Sequence, residues 1–453
     1  MTLSEELAGF AAALRYEDLP ASVVERVRLH ALDIVGVCLA GAQLEFAAIL
    51  KRLASNEKNP ESTLLGSGGM RASASAATLY NGGLAHGNEF DDTYAPGRWH
   101  GSAPTVPPAL AVAEAQHADG KTLITALAAG LEAGCRLTRA APALLSRGFH
   151  STCTAGVFSA ALAVGRLLGL DRERLANALG VAGSFAAGTM EFLSDPEPWS
   201  KRIQVGYAGQ GAILAARAAA AGFKGPRTIL EGRHGYFRSY AGDGNFDLSR
   251  VTEAIGSDWQ LLKLYPKRYP CDHIAQGYVD CAIALSHELS VQDIETVTCV
   301  VHPLARAIMF EPHEVRYRPA TGWSARWSMP FNMAVALADR ALTLDSYTDA
   351  RALDPGTRAL MERVGYEENA TMAFPGDYPA WLRIRSKNGR TLEEQMPKVA
   401  GSAENPVAPV EYEAKFLDNA RRALGMEKAR TALELLRNLP AARDVAPLVQ
   451  ACG

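Results

Sequence analysis

A mainly helical protein with a smaller α/β region late in the chain is the fold class this sequence predicts, and three observations predict it. Apolar residues recur at helical spacing from residue 3 to about residue 222. The same stretch is rich in alanine and other small residues, which lets helix axes approach closely. After about residue 260 the pattern changes to strict alternation and a hairpin turn, which is the signature of strands.

The opening segment, MTLSEELAGFAAALRYEDLP, reads as an acidic amphipathic helix rather than a charged-then-apolar leader. In Ala21–Gly41 the stripe Val24, Val27, Ala31/Leu32, Val35 and Leu39 lies on one face, Pro20 suits the helix start and Gly41 its end. Segments 103–115, 123–140, 152–168 and 210–221 continue as small-residue helices of a tight bundle. Gly180–Gly188, GVAGSFAAG, has no preceding strand and reads as helix packing rather than a phosphate cradle. Ile294–Val301 alternates as a strand, 327–342 and 350–364 read as helices, and Trp381–Gln395 is a hairpin around Asn388-Gly389. Residues 412–423 and 427–439 return to helix. The expected division is 1–262 all-helical, 263–400 α/β, and 401–453 helical and returning to the first part.

With 48% hydrophobic and 21% charged residues, the 453-residue chain has the composition of a folded enzyme rather than a disordered one. A net charge of -3 supplies no global basic field, so neither nucleic acid nor an anionic membrane is an expected partner. The apolar runs fall short of a membrane span. Seven widely spaced cysteines with no C-x-x-C pair read as reduced thiols in a cytoplasmic protein.

The densest chemistry lies in Glu89–His100, EFDDTYAPGRWH, a Gly/Pro-punctuated loop between helix-like segments. Glu89, Asp91 and Asp92 would repel one another if buried together, while Arg98 and His100 would favour their ionised forms. Such a cluster separates an acid from a base, although a surface turn closed by ion pairs has the same composition. His150 in GFHST sits at a helix start, as a capping or a catalytic residue. Lys201 and Arg202 stand at the head of a helix, where cations oppose the macrodipole and an anionic ligand would relieve them. In LYPKRYPCDH, prolines rigidify Lys267 and Arg268 at the change of pattern, a usual place for a cleft. VRYRPATGWSARWSMPFN adds further arginines. The chain has neither H-E-x-x-H nor a Cys/His metal spacing, and no serine or cysteine nucleophile signature, so no metal or cofactor is expected.

HGNEFDDTYAPGRWHGSAP, GFHST, SKRIQVGYAG with the following GF-x-GP, KRYPCDH, RWSMPFNMAVAL and the late AENP…KF resemble, in order over nearly the whole chain, the MmgE/PrpD family. The resemblance implies a large all-helical domain built from both chain ends with an inserted smaller α/β lid. It also implies a homodimer, a basic cleft between the domains and no metal or organic cofactor. The pocket positions it implies are Glu89, Thr93, His100, His150, Lys201 and Lys267. Phe331 stands where relatives commonly carry a pocket tyrosine, and a phenyl ring fills space without donating a proton.

The implied chemistry is proton transfer next to a carboxylate of a small di- or tricarboxylate. The leading expectation is dehydration of a 2-methylcitrate-like hydroxytricarboxylate; decarboxylation of cis-aconitate, epimerisation of an iminodisuccinate, and an inactive carboxylate-binding relative are the alternatives. The assignment is His150 or the Asp91/Asp92 pair as base, His100 or Lys267 as acid, and Arg98, Lys201 and Arg268 holding carboxylates. Phe331 leans against decarboxylation.

Overall fold

The structure, a computed structural model, describes residues 1–55, 60–194 and 199–453. Helix α1 (Leu3–Ala13) starts behind a capping box in which Thr2 and Glu5 satisfy each other's backbone amides. It is followed by α2 (Ala21–Gly41), α3 (Glu45–Ala54), α4 (Ala74–His86), α5 (Ser102–Ala115) and α6 (Gly120–Ala140). Then come α7 (Ser151–Leu167), α8 (Arg172–Ala182), α9 (Ser200–Ala220) and the short α10 (Ser249–Thr252). Ser73, Asp119 and Asp171 accept backbone amides at the starts of α4, α6 and α8, so these helix starts are written locally.

Glycines set the closeness of the bundle. A Cβ on Gly82 of α4 would lie 2.8 Å from Gly206 Cα of α9, and a Cβ on Gly206 would run into the Leu79 carbonyl. Gly206→Ala should therefore cost roughly 1–3 kcal/mol by overpacking. Gly376→Ala, where nothing lies within 4 Å of the new methyl, is the control and should change little. Urea unfolding of both variants checks this, and equal midpoints would show that α4 and α9 tolerate separation.

Two small antiparallel pairings stitch the bundle: β1 (Ser62–Thr63) with β2 (Arg71–Ala72), and β3 (Thr93–Tyr94) with β4 (Leu264–Tyr265). A second core begins at β4. It holds α11 (Gln276–Leu285), β5 (Ile294–Val301), α12 (Pro303–Met309), α13 (His313–Arg316), α14 (Met329–Asp339), α15 (Asp349–Leu353) and α16 (Pro355–Met361). It continues with β6 (Val364–Glu368), β7 (Ala380–Ser386) and β8 (Thr391–Met396), giving a four-stranded sheet of order β6-β5-β7-β8 with β5 and β6 parallel. Apart from Ala95, its buried apolar residues run from Tyr265 to Val399. Those of the first core run from Leu7 to Leu264 and resume at Tyr412. The resumption is α17 (Pro409–Leu424), α18 (Met426–Arg437) and α19 (Ala446–Gln450), with Phe416 packed against Gly36 of α2.

The hairpin turn falls at Asn388-Gly389, with Gly389 at φ 85° as the turn requires. The single helix expected over 350–364 is instead two short helices and the start of a strand. Pro355 has no amide to continue α15 and takes the first position of α16, Asp354 caps α16 by accepting the Thr357 amide at 2.7 Å, and Val364 pairs with Val297. Among the described residues no single helix is long and apolar enough to cross a membrane. The bent pair α2 and α3 passes that test by length and composition only, and α2 is buried over most of its length. All seven cysteines are free and buried.

Candidate active site

The acidic loop joins α4 to α5 and straddles both cores: Tyr94 and Trp99 pack in the first, Ala95 in the second. Tyr94 and Trp99 exchange backbone hydrogen bonds of 2.7 and 3.2 Å, closing the loop on itself. Pairing of β3 with β4 then lays the segment that carries Lys267 alongside it. Glu89 (φ 54°) and Arg98 (φ 47°) adopt left-handed backbone that non-glycine residues avoid, a cost the surrounding contacts must outweigh.

The outcome is an ion cluster in the interior. The Glu89 carboxylate contacts Lys201 Nζ from the first turn of α9, and on its other oxygen takes Lys267 Nζ at 3.1 Å. All three side chains are buried. Burial drives Lys201 well below the usual lysine range, and neighbouring Lys267 pushes the same way. The rings of Phe192 and Trp327 lie 5.9 and 5.6 Å from the Lys201 ammonium.

Beside this cluster is a cavity of about 70 Å³ lined by Glu89, Arg98, His100, His150, Lys201, Asp272 and His273. Met190, Phe192, Ile274, Ile308, Trp327 and Phe374 supply an apolar wall. His100 Nδ1 lies 2.6 Å from the Asp92 carbonyl oxygen. A carbonyl only accepts, so Nδ1 carries the proton and Nε2 keeps its lone pair. His150 is set in the same way: Gln204 donates to the Thr189 carbonyl at 3.0 Å and presents its oxygen to His150 Nδ1 at 2.8 Å. Burial pushes His150 and His273 down to about 4 and His100 well below its ordinary value, so all three rings are neutral bases. Burial alone would raise Asp272, but His273, Lys267 and Lys201 outweigh it and hold the carboxyl low.

His86 and His273 complete a chain of imidazoles. His86 Nδ1 bonds Asp91 at 2.6 Å, its ring stacks on His150 at 5.3 Å and lies 5.3 Å from His100, and His100 lies 5.6 Å from His273. Arg326 ties the two cores together behind the site by donating to the carbonyls of Asn88 and Pro270 at 2.6 and 2.7 Å. Neither histidine nor Arg326 was singled out from sequence. His86 and His273 close the motifs HGNEFDDT and KRYPCDH at opposite ends, so their signal was adjacency to residues already chosen.

The remaining expected site residues lie elsewhere. Asp92 is held by His30 Nδ1 at 3.0 Å and by the Ser102 amide at 3.1 Å and its hydroxyl, so it anchors the start of α5. Asp91 sits behind the histidines, 3.9 Å from His100, rather than in the cavity wall. Thr93 is buried in β3 and does not line the cavity. Arg268 turns away to Asp280 and Glu411. Phe331 is fully buried in the second core, 5.5 Å from Tyr347, because it lies in the first turn of α14, capped by Ser328. Its missing hydroxyl therefore does not bear on the cavity and does not weigh against decarboxylation. Pro198, the first residue of the Lys201 stretch, lies outside the described residues. Among the described residues, no three His, Cys, Asp or Glu side chains converge as a metal-ligand set.

The MmgE/PrpD N-terminal domain description matches residues 5–249 and the MmgE/PrpD C-terminal domain description matches residues 269–441. Over 472 aligned residues the chain is 24% identical to the cis-aconitate decarboxylase of Aspergillus terreus, covering 99% of this chain and 95% of that protein. The human and mouse cis-aconitate decarboxylases are each 24% identical as well, over 99% of this chain and 94% and 93% of theirs. These matches bear out the resemblance read from the motifs: the chain belongs to the MmgE/PrpD family.

Proposed function

We propose that this enzyme is a lyase that decarboxylates a small unsaturated tricarboxylate of the cis-aconitate type, using the cavity between the two cores. The observation that carries this reading is the mixed lining of the cavity, in which cationic and imidazole groups share one enclosed space with apolar side chains. Arg98, Lys201 and Lys267 would hold the carboxylates that stay, the last by way of a shift of Glu89. The leaving carboxylate would face the apolar wall, where its charge is least stabilised and its loss as carbon dioxide is favoured. As the carbon–carbon bond to that carboxylate breaks, its electron pair shifts the double bond. The far carbon, next to a retained carboxylate, then takes a proton. Lys201, with its lowered pKa, is the proposed donor. Decarboxylase relatives aligned along the full chain support the same choice.

Dehydration of a 2-methylcitrate-like hydroxytricarboxylate is the second reading, favoured by the free Nε2 lone pairs of His100 and His150 as bases. Incubating the protein separately with cis-aconitate, 2-methylcitrate and a chiral iminodisuccinate separates the outcomes. Carbon dioxide from cis-aconitate is expected. Alkene absorbance from 2-methylcitrate alone would replace decarboxylation by dehydration, and loss of optical rotation alone would indicate an epimerase. Tight tricarboxylate binding with no turnover would make the protein a binding relative.

Residues 265–399, with their own core, act in this reading as an inserted lid over the bundle, and the free buried cysteines suit a reducing cytoplasm. The homodimer would use α9, where Ile203, Tyr207 and Leu214 are exposed along one face and the edge of Trp199 meets Phe46 of α3 at 6.5 Å, beside exposed Ile49 and Leu53. Light scattering should give a dimer for the native chain and a monomer for Tyr207→Glu with Leu214→Glu. An unchanged dimer would remove this face from consideration.

A further inference from the structure

The charges that line the cavity already balance. Among the described residues Glu89 and Asp272 are its carboxylates, and Arg98 and Lys201 its cations. Lys267, just behind, is committed to Glu89, and Asp91 to His86. Arg202 and Arg326 lie outside the lining, the first against the Trp323 ring at 3.9 Å and the second on two backbone carbonyls. A di- or tricarboxylate therefore enters a space with no surplus positive charge, and an enclosed site leaves little water to make up the difference. The imidazoles can supply it, because each gains a charge by taking up a proton.

The three rings in the lining are not equally placed to do so. Around His100 stand Asp91, Lys267, His86 and His273, and around His273 stand Asp272, Lys267, Lys201 and Arg98, so in both places a cation opposes further positive charge. His150 differs. Burial holds it at about 4, and the two groups that act against burial, the Gln204 oxygen and the Asp91 carboxylate, both favour the charged ring. Cys153 Sγ, 3.4 Å from Nδ1, is a thiol that burial pushes up, and the rings of His86 and Phe192, each 5.3 Å away, carry no charge.

The hydrogen bonding of His150 suits both of its states. Gln204 stands one turn after Lys201 on α9. The Thr189 carbonyl, which can only accept, draws the Gln204 nitrogen towards itself and so turns the oxygen to His150. Nδ1 donates to that oxygen whether the ring is neutral or charged, so a proton arriving at Nε2 breaks no bond that the structure shows. From this arrangement we infer that the cavity binds its carboxylate together with a proton: His150 Nε2 takes one up from solution as the anion enters, and the imidazolium, held through Nδ1 by Gln204, becomes the countercharge of one carboxylate. The inference rests on the reading of the cavity as a carboxylate site.

Calorimetric titration of the full chain with tricarballylate, in buffers of different ionisation enthalpy at neutral pH, counts the protons. This tricarboxylate has neither a double bond nor a hydroxyl to react, and its carboxyls are ionised at neutral pH, so a proton drawn from the buffer enters the complex. Uptake approaching one proton per molecule bound is expected, with an affinity that weakens by up to about tenfold for each unit rise in pH. His150→Asn should remove most of the uptake. Gln204→Glu, which sets a carboxylate against Nδ1 and charges the ring in advance, should remove it while binding persists. NMR of the native chain with labelled histidines gives the same answer without a substitution: one ring passes from imidazole to imidazolium as tricarballylate is added. Binding without proton uptake, uptake that survives both substitutions, or histidine signals that stay neutral would overturn the inference and leave the carboxylate reading standing. Failure of tricarballylate to bind would remove that reading, and the inference with it.

Discussion

Lys201→Met should lower kcat/KM for the carboxylate substrate by roughly 10³-fold, the scale at which one pre-set electrostatic group contributes in a site closed to water. Three features make this the largest expected single effect. Lys201 is almost completely buried, so bulk solvent does not replace its charge. Among the described residues it is one of two cations on the Glu89 carboxylate, so its removal leaves Glu89 still paired to Lys267 at 3.1 Å and the cavity with less positive charge for an incoming anion. Its lowered pKa makes it the proposed proton donor as well as a holder, so the loss falls on kcat and not only on KM. Methionine matches the length of the stem and packs against Phe192 and Trp327, so the melting temperature should change little while turnover collapses. Steady-state kinetics with a thermal melt on the same sample checks both halves. Turnover within threefold of the native enzyme would remove Lys201 from the chemistry.

The second large effect is on pH. His150 and His273 are held near 4 by burial, against an unfolded value of about 6.5. Between those limits the unfolded chain binds protons that the folded chain refuses, so stability is full above about pH 6.5 and is lost as the pH falls towards 4. For the buried His150 alone the loss is on the order of 3 kcal/mol across that window. Urea midpoints should therefore fall steeply between about pH 6.5 and 4, and His150→Asn should flatten the decline. Activity should follow the same groups. Because kcat/KM reports the free enzyme, its acid limb should lie well below the ordinary histidine midpoint of about 6.5. An acid limb centred near 6.5 would mean that the cavity histidines are solvated and that the enclosed site is wrong.

Much of the bundle was legible because its determinants are local. The bounds read for Ala21–Gly41 coincide with α2, since Pro20 and the apolar stripe lie within the segment itself. Ile294–Val301 and the Asn388-Gly389 hairpin were legible for the same reason. The break at Asp354–Pro355 was missed because helical spacing on both sides outweighed the proline, and β6 because its pairing with β5 joins distant parts of the chain. At the site, the motifs carrying Glu89, Arg98, His100, His150 and Lys201 were visible from sequence, and the structure brings these residues to one cavity. Their roles within it were not visible.

What the sequence determined by itself is the succession of helices, the late α/β region and a set of acidic, basic and imidazole side chains in the order the MmgE/PrpD family carries them. Only the tertiary structure decided which of these groups face each other. Pairing of β3 with β4 sets Lys267 against Glu89, Asp92 turns to His30 and Ser102, Arg268 turns to Asp280, and His86 and His273 join the imidazole chain. The physical reason is range. Caps and periodicity act over a few residues and can be read along a chain, whereas the direction of a buried charge is set by partners from other elements, as far apart as Glu89 and Lys267, and by the desolvation that folding imposes on all of them together.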